Sequence, residues 1–127
     1  MAQSQMSGPL LVDSGIFYND YQLVVANGAI TIKSGVVKIA KTVAGVVAAT
    51  LANPTDGAQE DGGDDFKRLT IISNQTQANT VTVTGGFGNG GGGEDIATAS
   101  GVVGDTLELM AYGGYWYVCG AHQWTIT

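Results

Sequence analysis

The side chains able to do chemistry are few: one histidine, one cysteine, a cluster of carboxylates, a glycine run and a group of aromatic rings. His122 stands three residues from Cys119. Nucleophilic catalysis needs a base aimed at a nucleophile and oriented by a third group. Residues three apart on a strand point to opposite faces, so this spacing predicts no catalytic pair. Cys119 alternates with Tyr115 and Tyr117 and reads as a small strand residue, while His122 reads as a turn or surface residue beside the last strand. One histidine and one cysteine cannot close a zinc site without borrowed carboxylates.

Asp56, Glu60, Asp61, Asp64 and Asp65 occupy a glycine-containing loop, and Asp61, Asp64 and Asp65 are the candidates for a hard cation. The run Asp61-Gly62-Gly63-Asp64-Asp65 lacks the spaced ligands of a helix-loop-helix calcium site. The segment therefore reads as a solvated acidic loop, or as one facing a basic patch on a neighbour, with no metal or cofactor expected. Residues 85–93, mostly glycine, invite a phosphate-loop reading. No Lys-Ser or Lys-Thr follows, and Glu94-Asp95 would repel a phosphate. A flexible connection between strands is expected, with Phe87 at its centre free to dock on a neighbouring subunit.

Tyr112, Tyr115, Trp116, Tyr117 and Trp124 form the richest group. Rings with polar tips are common at protein interfaces and sugar-binding surfaces. Tyr115 and Tyr117 share one face of a strand, and Trp116 and Val118 share the other. One face should be core and the other open to solvent or a partner.

The elements that must hold these residues are short strands. Ile30 and Ile32 alternate with Thr31 and Lys33, and Val37 and Ile39 with Lys38 and Ala40. Residues 44–52 could be helical, but Gly45, Val46, Val47, Thr50 and the following Pro54 favour a strand. Leu69 and Ile71 oppose Thr70 and Ile72, which suggests burial on both sides, as at a subunit contact. Val81 and Val83 alternate with threonines, and Leu107 and Leu109 flank Glu108. Gly113-Gly114 supplies the positive φ of a two-residue hairpin turn before Tyr115. The expected fold is an all-β, small antiparallel β-sandwich or barrel of about eight strands, residues 29–127, with an extended N-terminal arm. Residues 1–28 form that arm or a first hairpin, with Leu10, Leu11, Val12, Ile16, Phe17, Tyr18 and Tyr21 available to lie on a partner's sheet edge.

Composition bounds the function. The 127 residues fit one domain, 44% are hydrophobic, only 13% are charged, and 20 are glycine. Free surfaces normally carry more charge, so part of this surface is expected to face protein. A net charge of -6 with five basic residues excludes a phosphate-tracking surface, so no nucleic acid is expected. No apolar run reaches the length of a membrane span, and no Lys or Arg precedes Lys33 as a signal peptide would require. No membrane partner is expected, and synthesis in a cytoplasm without secretion is.

The order of the motifs carries a resemblance. Ala49-Thr50-Leu51-Ala52-Asn53-Pro54 precedes Leu69-Thr70-Ile71-Ile72-Ser73-Asn74; then come Thr80-Val81-Thr82-Val83 and Gly104-Asp105-Thr106-Leu107-Glu108-Leu109. A Gly-Gly turn leads into Tyr115-Trp116-Tyr117-Val118. Over roughly residues 29 to 120 this resembles the β-rich module of tailed-bacteriophage virion proteins, found in head decoration proteins and tail fibres. The acidic segment from Gln59 to Asp65 and the long glycine run depart from it. The resemblance implies a non-enzymatic structural protein on the outer surface of the head. Its partners would be the major capsid protein and itself, as a homotrimer bridging capsid subunits. Phe87, Tyr112, Tyr115, Trp116, Tyr117 and Trp124 would serve the oligomer or partner interface. The alternative is a tail appendage module that binds a host receptor or glycan.

Overall fold

The structure, a computed structural model, describes residues 20–89 and 93–127. It is a β-sandwich of two five-stranded sheets. The front sheet holds β1 (Tyr21–Val24), β3 (Gly35–Ile39), β5 (Arg68–Ser73), β8 (Asp105–Tyr112) and β9 (Tyr115–His122), in the order β1-β3-β5-β8-β9. The back sheet holds β2 (Gly28–Ile30), β4 (Ala48–Leu51), β6 (Thr80–Val83), β7 (Ile96–Ala99) and β10 (Trp124–Ile126), in the order β10-β7-β6-β4-β2. A 3₁₀ turn lies at Gln59–Asp61.

All-β character and the sandwich agree with expectation, whereas the topology corrects it. β1, β3 and β5 run parallel, and so do β2, β4 and β6. The first six strands alternate between the sheets, so the chain winds as a coil before β7 to β10 return antiparallel. Parallel neighbours usually need a long crossover. Here a strand of the other sheet is the crossover, which lets short strands and short loops build parallel pairs. Ten strands result where about eight were expected. Residues 21–28 belong to this coil: β1 pairs with β3 and β2 with β4, so they form neither a detached arm nor a hairpin. The expected boundary after residue 28 falls inside β2. Leu10, Leu11, Val12, Ile16, Phe17 and Tyr18 lie outside the described residues.

The core lies between the sheets, where alternate residues of every strand point inward. Val37, Ile39, Leu51, Leu69, Ile71, Val81, Val83, Leu107 and Leu109 are fully buried there. A polar tie closes one end of it: Asn79 accepts from the Val47 N–H at 2.8 Å and donates to Ser73 Oγ at 2.9 Å. Three rings assigned to an interface are core instead. Phe87 and Trp116 have no exposed surface, and Trp124 is buried. The glycine run brings Phe87 inward: Gly85 and Gly86 take positive φ, the Phe87 N–H donates to Glu94 C=O, and Gly88 N–H donates to Trp116 C=O. Trp116 is itself anchored by its indole N–H on Ala52 C=O at 2.9 Å.

Candidate ligand-binding surface

Four predicted partner-facing residues do share one surface, the outer face of the front sheet. Tyr112 and Tyr115 are opposed across the β8–β9 hairpin, Tyr117 stands opposite Met110, and Tyr21 lies in β1. Tyr21, Tyr112 and Tyr115 are exposed and Tyr117 is half-buried. The hairpin turn is as expected, with Gly113 at φ 61° and Gly114 at φ 83°, the signs a two-residue primed turn requires. Thr70 and Ile72 are half-buried in the middle of this face.

The acidic loop, residues 52–67, builds the wall beside the hairpin. Asp64 is buried, and its carboxylate pairs with Lys67 Nζ at 2.8 Å and Lys33 Nζ at 3.3 Å while accepting the Thr55 N–H at 2.7 Å. Burial pushes its pKa upward, but the Lys67, Thr55 and Lys33 hydrogen bonds and the Lys33 charge outweigh it and hold the group down at about 2. Asp65 Oδ1 accepts the Gly113 N–H at 3.0 Å, which fastens the loop to the hairpin turn. Both carboxylates are thus structural, and Asp61 stands exposed on the 3₁₀ turn. Among the described residues no group of three or more His, Cys, Asp or Glu could share a metal ion.

Between Asp65 and Lys67, Phe66 projects its ring outward with 63% exposure. Its N–H donates to Ala111 C=O, and its backbone sits at φ 69°. The ring lies 5.4 Å from that of Tyr112, tilted by 37°. Phe66, Met110, Tyr112 and Tyr117 line an open depression of about 500 Å³. On the other side of Phe66 lies a second, of about 370 Å³, lined also by Ala58, Gln59, Glu60 and Asp65. Gly88 underlies Tyr117: a Cβ at that position would collide with the phenol ring. Sequence reasoning missed it, because nothing in Asp65-Phe66-Lys67 announces a positive φ at a phenylalanine.

Cys119 and His122 are both exposed. A bulge between Glu108 and Leu109 skips Cys119 in the β8–β9 pairing and sets Gly120 opposite Glu108 and His122 opposite Thr106. The opposite-face expectation assumed an unbroken strand, and the bulge changes the parity. Neither residue has a hydrogen-bonded partner suited to activate a nucleophile among the described residues. No helix among the described residues is long and apolar enough to cross a membrane. Compared with protein-family models, curated proteins and solved structures, the chain gives no match.

Proposed function

We propose that this chain is a virion structural protein of a tailed bacteriophage, a head decoration protein that binds the outer shell as a homotrimer and stabilises it by bridging capsid subunits. The ordered motifs described above support the virion assignment. The observation that carries self-association is the outer face of the back sheet. Ala29, Thr50, Thr82 and Ile96 form one row across it, and Ala48, Thr80, Thr98 and Thr125 the next. Among the described residues no strand of this sheet places a charged side chain on that face. An uncharged sheet face suits burial against copies of itself, since surfaces kept in water normally mix charges of both signs. Three weak capsid contacts per trimer would then act together, because the second and third are intramolecular. The work done is mechanical and needs no reacting group.

The test is the copy number of the chain in purified virions, relative to the major capsid protein. Near-stoichiometric abundance is the expected result. A few copies per particle would overturn the decoration role in favour of a tail appendage.

A further inference from the structure

We propose that the two depressions flanking Phe66 form one saccharide-binding site for an uncharged sugar ring. The inference does not depend on whether the chain sits on a head or a tail. Three observations carry it. First, the walls are divided by chemistry. Phe66, Met110, Tyr112 and Tyr117 offer an aromatic and thioether surface on one side, and Gln59, Glu60 and Asp65 offer amide and carboxylate groups on the other. A pyranose has the same division, with C–H groups on its flat face and hydroxyl donors at its edge. Such a ring lies over aromatic carbon and donates to carboxylates.

Second, the charges disfavour an anionic ligand. Glu60 and Asp65 oppose an anionic sugar. Asp65 also already accepts from Gly113 N–H. Third, the ring at position 66 is kept at a backbone cost. Ten glycines take positive φ among the described residues, and only Phe66 and Gln123 do so without being glycine. A bulky residue there is strained, and such strain concentrates at binding sites. Glycine would relieve it, so the exposed phenyl group is what the position provides.

Phe66→Gly is the informative variant, because glycine suits φ 69° and the fold should be retained. Amide chemical shifts of the full chain would be followed by NMR during titration with cellotriose, maltotriose and chitotriose. Sialyllactose serves as the anionic control and arginine amide as the cationic one. The expected result is saturable shifts at Phe66, Gly113 and Tyr117 with at least one neutral trisaccharide, with Kd on the order of 1 mM. Phe66→Gly and Tyr112→Ala should each weaken binding at least about 10-fold, roughly 1.4 kcal/mol, with the remaining spectrum unchanged. No saturable shift with any of the three neutral sugars, binding of arginine amide or sialyllactose in their place, or undiminished binding by Phe66→Gly would each overturn the proposal.

Discussion

Asp64 joins three pieces of chain at one carboxylate: Lys33 from the β2–β3 connection, Thr55 from the start of the acidic loop and Lys67 from its end. Both lysines keep about a third of their side chains exposed, so they recover some hydration when the carboxylate is lost. Asp64→Asn should therefore cost a moderate amount, about 2 kcal/mol at neutral pH. The pH dependence has a definite sign. The folded pKa lies near 2, below the ordinary 3.8, so the contribution is complete above about pH 5 and is lost as pH falls towards 2. Asp105 behaves in the same direction: burial raises its pKa, but hydrogen bonds from Ser100, Val102 and Gly101 lower it further than burial raises it. The informative quantity is thus the difference between proteins. Urea denaturation from pH 5 to pH 2 should show the native protein losing about 2 kcal/mol more than Asp64→Asn. Parallel curves would show that Asp64 titrates normally. In the sequence these carboxylates were legible as an acidic loop, but their partners were not. Lys33 is 31 residues from Asp64, and only the coil brings them together.

At the scale of elements, a coiled sandwich leaves strand edges that could pair with other chains. Two are capped by carboxamides. Gln22, pointing inward from β1, donates to Ala29 C=O at 3.0 Å and accepts the Thr31 N–H at 2.7 Å, the two bonds a neighbouring strand would make to β2. At β9, Asn89 does likewise, accepting the Val118 N–H at 2.7 Å and donating to Val118 C=O at 3.4 Å. Gln22→Leu should fill the same inward position with an apolar side chain while uncovering the β2 edge. Its expected effects are faster amide exchange at Thr31 and increased aggregation on concentration, measured by hydrogen-exchange NMR and light scattering. Unchanged exchange at Thr31 would show that the edge is protected by something else. Most strands were legible, since Val37/Ile39, Leu69/Ile71 and Val81/Val83 mark them by period alone. Their partners were not. A short Asn-Gly link such as Asn27-Gly28 suits a hairpin as well as an arch between sheets, and alternation records which face is buried without saying in which sheet. The Gly113-Gly114 turn was readable because its flanking strands stay in one sheet. The glycine run misled, because Phe87 turns inward through backbone bonds to Glu94 and Trp116 that no local pattern encodes.

At the scale of the whole molecule, charge is sorted by surface. One end of the sandwich, formed by the turns around Asp20, Asp56, Glu60, Asp61, Glu94 and Asp95, is acidic. The other carries exposed Val25, Val43, Val46, Val102 and Val103 in its connections. The back face is threonine, alanine and isoleucine. The low charge content is therefore a property of particular surfaces, and self-association through the back face can be separated from association through the valine end. Thr50 and Thr125 are exposed near opposite margins of the back sheet. Replacing both by lysine puts like charges where copies would meet, without touching the core. If the back face is the contact, the native protein should have a trimer mass at micromolar concentration and a melting temperature that rises with concentration. Thr50→Lys with Thr125→Lys should instead have a monomer mass and lose that concentration dependence. Val43→Lys with Val102→Lys, at the valine end, should leave the trimer intact. A lysine pair on the back face that still gives a trimer would exclude this face as the contact. Dissociation by the valine-end pair alone would move the contact to that end.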